Sequence, residues 1–256
     1  MTVPAAALLL GAVSAASGCA ERIPAPPAVT ASPAPIPAAP PRPVLPDIAG
    51  PEAGFRAAME TFKKGDSSNA ALYAQSVMER YPRTAWAKRS LFLLGRTLLL
   101  RVMTADAGKV MLRVPEEYPD LADYALFSLA EGYAAVQRFA DAASLYQRLT
   151  ENYPASSLAA RASLRRAQAL FDAGAVSDAS AAFERTIADY PQSDEAARAA
   201  LGLGRSRAEA GDLPGAVKAY LLVRISYAGS GADDEADKAL AALAVRGAEV
   251  PKLTGD

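Results

Sequence analysis

The chain has 256 residues, a formal net charge of −1 and no histidine, and its single cysteine is Cys19. This excludes a polyelectrolyte basis for nucleic-acid binding, histidine-based catalysis, histidine metal sites and any internal disulfide. Hydrophobic residues make up 51% of the chain and aromatics only 7%, with alanine filling much of the difference, which suits closely packed helices better than a large aromatic core.

Residues 5–17 are uniformly small or apolar. That run is too short to cross a hydrocarbon core, which needs ~20 helical residues, and it reads as the apolar stretch of a secretory leader. It ends in Ala16-Ser17-Gly18-Cys19, which resembles the lipobox of bacterial lipoproteins, with Ala16 where that family favours leucine. The resemblance implies cleavage before Cys19, lipidation of its thiol and a signal peptide over residues 1–18. A plain cleaved leader, or a buried structural thiol, is the competing reading of Cys19. Ala20-Glu21 follow with no aspartate beside the cysteine, which by resemblance to enteric sorting implies the periplasmic face of the outer membrane. Eleven of the 19 prolines lie between Pro24 and Pro51. Each removes a backbone donor and fixes φ, so residues 19–51 are expected to form a Pro/Ala-rich tether rather than a helix or sheet. Within it, Pro40-Pro41-Arg42-Pro43 also reads weakly as a proline-recognition ligand.

Beyond the tether a repeat appears. Tyr-Pro stands at 81–82, 118–119, 153–154 and 190–191, and Tyr227-Ala228 continues the series at intervals of 35 to 37 residues. This period, with helical composition, resembles the tetratricopeptide repeat (TPR). Counting back from the proline, the repeat's position 20 is Ala70, Ala107, Ala142, Ala179 and Ala216. Position 8 is Ala58, Gly95, Ala130, Ala167 and Gly204. Small residues at both are expected where two helices cross. Position 24 is Ala74, Met111, Tyr146, Phe183 and Tyr220. Glycines at 65, 174 and 211 mark turns between helices, whereas Val102 and Gln137 break that pattern, and Arg101–Thr104 offers no clear turn. Asp66, Ser177 and Asp212 are expected to cap second helices, and Thr84, Ser156 and Ser193 to cap the next first helices. The expected fold is all-α: a right-handed TPR-type solenoid of about five hairpins (52–82, 84–118, 120–153, 156–190 and 193–227). A C-terminal capping helix over about 230–246 would start at Ser230 and stop at Gly247, closing a repeat domain of 52–246 ahead of a tail, 247–256.

Together the lipobox, tether and hairpins resemble envelope TPR proteins, of the BamD β-barrel-assembly type and the Tol-Pal-associated type. A second resemblance, through Tyr118–Tyr133 and Val250–Thr254, is to the helical N-terminal half of soluble lytic murein transglycosylases. That family's catalytic domain carries a Glu-Ser pair, and no such dipeptide occurs here, so this resemblance implies a non-catalytic part only. The acidic clusters Glu116-Glu117 and Asp233-Asp234-Glu235 point ~100° apart from residue to residue on a helix and do not converge on a substrate. No catalytic residue, metal ligand or cofactor site is therefore expected.

What remains is a groove. In TPR arrays positions 2, 5, 9 and 12 of the first helix line the concave face. Here position 2 gives Glu52, Arg89, Tyr124, Arg161 and Arg198, position 5 Phe55, Phe92, Phe127, Leu164 and Leu201, and position 9 Met59, Arg96, Glu131, Gln168 and Arg205. Nine of these are the expected partner-binding residues: Arg89, Phe92, Arg96, Phe127, Glu131, Arg161, Gln168, Arg198 and Arg205. An apolar floor with arginines around it suits an extended peptide bearing carboxylates. Ordinary solvated surface is the competing reading of the same arginines. The expectation is an outer-membrane-anchored periplasmic scaffold for a protein or peptide partner, held to the membrane by its lipid only and binding no nucleic acid.

Overall fold

The computed structural model describes residues 43–251, and no strand occurs among them. The leader, Cys19, the tether up to Arg42 and residues 252–256 lie outside the described residues. The elements come in pairs. Helices α1 (Pro51–Lys63) and α2 (Ser67–Arg80) form the first hairpin, α3 (Ala85–Leu100) and α4 (Thr104–Met111) the second. A single turn, α5 (Val114–Glu117), and a 3-10 turn at Pro119–Leu121 follow. Then come α6 (Ala122–Ala135) with α7 (Phe139–Asn152), α8 (Ala159–Asp172) with α9 (Val176–Asp189), and α10 (Asp194–Glu209) with α11 (Leu213–Ser226). A solitary α12 (Asp233–Val245) ends the series, as the sequence pattern implies.

Every position-20 alanine has zero exposure, from Ala70 to Ala216. At position 8 the neighbour that demands a small residue is position 24. A methyl group added at Gly95 would collide with the Met111 side chain, and one at Gly204 with the ring of Tyr220. Position 8 therefore makes room for position 24, whose side chain lies over it in the second and fifth hairpins. Position 24 is buried in all five, at 4% exposure or less.

The turn between the paired helices is one structure used five times. After Lys64, Arg101, Val136, Ala173 and Ala210 the next residue takes a positive φ, at Gly65, Val102, Gln137, Gly174 and Gly211. Two amides then bond back to carbonyls of the last helical turn, as in Val102 N–H to Leu99 and Met103 N–H to Leu98, the two bonds of a Schellman cap. Arg101–Thr104 is thus a regular turn after all. Its glycine signal is missing because Val102, at φ 59°, and Gln137, at φ 60°, occupy the left-handed region despite their side chains. Gly247 closes α12 in the same way, with its own N–H on Ala244 and that of Ala248 on Leu243.

The recurring tyrosine ends each second helix. Tyr81, Tyr118, Tyr153, Tyr190 and Tyr227 each donate their N–H four residues back. Their carbonyls accept from the amides of Thr84, Leu121, Ser156, Ser193 and Ser230. Proline after tyrosine has no donor to lose and biases the tyrosine out of the helix, so the dipeptide is a stop. The second hairpin is irregular at the end of α4 and not at its turn, and Pro115 shows why. Its ring is incompatible with the carbonyl of Met111 in a continuous helix, and α4 ends at that residue.

Capping departs from expectation in part. Asp66, Thr84, Ser193 and Asp212 accept the amide three residues on. Ser177 does not cap, because α9 already begins at Val176 behind Ala175. Ser156 and Ser230 instead accept amides two residues on, from Leu158 and Ala232, holding short turns that precede α8 and α12. The acidic start of α12 is tied down, with Asp233 accepting from the Gly229 N–H and Asp237 lying 3.0 Å from Arg224 on α11. Its apolar stripe of Ala236, Leu240 and Leu243 is buried as expected. At the other end packing begins ahead of residue 52. Ser76 donates to the carbonyl of Pro46, Arg80 pairs with Asp47, and Ile48 fills the space beside Gly54.

A left-handed backbone costs an L-residue ~1–2 kcal/mol, and glycine gives back ~0.5–1 kcal/mol of that in chain entropy. Val102 is 66% exposed, so its side chain contributes little packing to offset the strain. The Val102→Gly variant is expected to gain about 1 kcal/mol, a rise of ~2–4 °C in thermal midpoint. An unchanged or lower midpoint would mean that the turn is held by the valine side chain.

Candidate binding surface

First helices of neighbouring hairpins pack side by side, α1 on α3, α3 on α6, and α8 on α10. Their exposed faces form the wall on which the nine groove residues stand, and the structure divides these into three groups.

Arg89, Phe92 and Arg96 line one cavity of about 370 Å³ between α1 and α3. Its floor is aromatic and apolar, with Phe55, Met59 and Phe62 from α1 facing Phe92. Arg89 lies 4.8 Å from the centroid of Trp86, whose ring is 5.4 Å from that of Phe55. Trp86 thus packs between α1 and α3 and also orients a guanidinium. Arg96 is exposed and, among the described residues, has no carboxylate within 4.0 Å.

Phe127, Glu131 and Arg161 lie in the middle and are occupied by the protein itself. Phe127 meets Tyr146 edge-on, at 5.6 Å between centroids. The buried Tyr146 hydroxyl donates to Glu131, and Arg165 reaches the same carboxylate at 3.3 Å. Burial pushes the Tyr146 phenol well above its ordinary range, and the bond to Glu131 adds to that. Arg161 is 3.9 Å from Glu195 of the next hairpin. Here α6 and α8 touch little along their lengths. Polar bridges span the junction instead: Arg165 to Glu131, and the Ser156 hydroxyl to Asp123.

Gln168, Arg198 and Arg205 line a second cavity, of about 500 Å³, between α8, α10 and the turn before α12. Gln168 accepts from Arg165 at 3.1 Å, and Arg205 stands 5.4 Å over the ring of Phe171. Phe183 rises into this cavity because residue 202 is glycine; a methyl group there would collide with the phenyl ring. Asp172 and Glu235 add carboxylates to the lining.

The repeat spacing thus gives the wall but not its partition. It misses Arg165, one residue from Leu164 at position 5, and the turn Ser230–Ala232, read only as a helix start. Phe62 and Phe171 were within reach, since both stand at position 12 of their repeats. No group of acidic or cysteine side chains among the described residues is arranged to hold a metal ion. No described helix is long and apolar enough to cross a membrane.

Comparison with known proteins agrees with the fold. Residues 127–194 and 176–233 match the family described as tetratricopeptide repeat. No curated protein matches the sequence. Among solved structures, MamA residues 41 to the end from Desulfovibrio magneticus RS-1 superposes with a TM-score of 0.53 at 15% identity, covering 68% of this chain and 93% of that one. A second MamA structure gives 0.54 at 18% identity, over 80% and 98% of the two chains. Nearly identical TPR-like repeats from Podosopora anserina give 0.53 at 15% identity, over 73% and 99%. The stretch from 127 to 233 is made of tetratricopeptide repeats, and the described chain carries them in an all-helical TPR solenoid.

Proposed function

We propose that this protein is a scaffold that captures a protein or peptide partner along the first-helix wall, through carboxylates of that partner. The observation that carries this reading is the pairing, in both cavities, of an aromatic floor with exposed guanidiniums. Arg89, Arg96, Arg198 and Arg205 have no carboxylate within salt-bridge distance among the described residues, whereas Arg161 and Arg165 of the same wall do. Like charges on one wall repel, and a charge-assisted contact to a ligand is worth ~1.5–3 kcal/mol where water is excluded but little where both partners are solvated. TPR domains in general bind proteins or peptides, which supports the same class of partner.

The double variant Arg96→Glu/Arg205→Glu places acid in both cavities at exposed positions. It should lose capture of acidic or C-terminal peptide partners in a pull-down from an envelope extract, with the thermal midpoint nearly unchanged. Wild-type capture should weaken with salt, since screening shortens the field to ~8 Å at physiological strength. Recovery of the same partners by both proteins would return these arginines to ordinary surface.

We further propose that the scaffold works in the bacterial envelope, in outer-membrane protein assembly or envelope organisation, anchored at the periplasmic face of the outer membrane through Cys19. The lipobox-like Ala16–Cys19 run and the proline-rich tether support this placement. Acyl chains contribute ~0.8 kcal/mol per buried methylene, enough for stable anchoring when several are present. Cys19→Ala should block lipidation and leave the protein out of the outer-membrane fraction. Fractionation identical to the wild type would remove the anchor from the account.

A further inference from the structure

The two cavities differ in a way that ranks them. The one between α8 and α10 already holds Asp172 and Glu235, and its Arg165 is engaged by Glu131. The one between α1 and α3 is lined by no carboxylate, while Arg89 and Arg96 stand at its rim. Of the acids adjacent in sequence to its lining, Glu117 pairs with Arg113, and Glu60 and Asp120 are exposed and outside the lining. An apolar cavity with two guanidiniums and no carboxylate in its lining has its complement in an apolar side chain flanked by anions.

The placement of the two arginines says how many anions, and where. They are seven residues apart on α3, so their Cα atoms are separated by ~10 Å along one helical face, with Phe92 between them. Arg89 is oriented by Trp86 and Arg96 is free to reach. In an extended peptide, residues on the same side alternate at ~6.6–7 Å, so groups two before and two after an anchor flank it by ~13 Å in total. Long arginine side chains cover that difference.

We infer that the cavity between α1 and α3 is the primary anchor of the groove, taking a bulky apolar side chain of a partner peptide with acidic side chains two residues to either side. A free terminal carboxylate supplies one anion and leaves one guanidinium unmatched. This inference rests on the groove reading above and names its first subsite.

Trp86 is the only tryptophan of the chain and lies against Phe55, which lines the cavity, so it reports occupancy. The probe is the acetylated, amidated peptide Gly-Glu-Ser-Phe-Ser-Glu-Gly, titrated into the full chain by Trp86 emission and by calorimetry. Replacing its phenylalanine by alanine, or both glutamates by glutamine, should weaken binding about tenfold or more. Arg96→Gln should do the same for the parent peptide, and Trp86 emission should shift only with peptides that bind. Arg148→Gln, an exposed change on α7, should leave the affinity as it is. Tighter binding of a free-acid Ser-Ser-Ser-Phe peptide would overturn the two-anion assignment. Binding that survives Arg96→Gln but falls with Arg205→Gln would overturn this anchor and leave the groove reading standing. Failure of the wild type to bind the probe at about 1 mM would also overturn the anchor, and the envelope pull-down would then decide the groove reading separately.

Discussion

Everything in this structure depends on the crossing inside each hairpin, where one helix meets its partner across an alanine with no exposed surface. Ala70, Ala107, Ala142, Ala179 and Ala216 are all fully buried, and in the second and fifth hairpins the position-24 side chain lies over position 8. Because interiors are packed near crystal density, such a contact admits one spacing rather than a range. Repeated five times, it sets the step from hairpin to hairpin. That step turns positions 2, 5 and 9 of separate helices into one wall, so the groove follows from the crossing and not from any contact within the groove itself.

The wall is nonetheless uneven, and its unevenness comes from polar contacts within and between repeats. Glu131 accepts both the Tyr146 hydroxyl and Arg165, and Arg161 approaches Glu195. These contacts engage two of the nine expected binding residues, Glu131 at the junction where α6 and α8 pack least and Arg161 between α8 and α10. A bridge of this kind holds a register without filling a core. It leaves two separate cavities, one apolar with cationic edges and one mixed in charge. A partner that lies along the wall therefore meets two unlike environments joined by a stretch that offers it little.

The hairpins, the buried alanines and the tyrosine stops were legible because each is a local device repeated at fixed spacing. One residue type at one position carries the whole signal. The turn at Val102 was not, because its geometry is imposed by the helices on either side rather than asked for by the residue. Ser177 and Ser230 misled for a related reason. A serine near a helix start is a good cap only if the helix begins at the next residue, and boundaries are set by packing. Within the site, the identity of the wall residues was readable from position alone. Their partition was not, since whether Arg165 meets Glu131 or solvent depends on the angle between two hairpins. No single repeat encodes that angle.

The claim that the alanine crossing governs the array has one direct test, the thermal midpoint of Ala142→Leu measured beside that of Ala181→Leu. Ala142 is fully buried at its crossing, whereas Ala181 is an exposed alanine on α9. Overpacking costs ~1–3 kcal/mol, which for a domain of this size lowers the midpoint by ~3–10 °C. The account predicts that loss for Ala142→Leu, shared by the whole helical transition in circular dichroism, and a shift of no more than about 1–2 °C for Ala181→Leu. Equal midpoints for the two variants would contradict it, because the helices would then have room to separate and the groove would have to be held by something else.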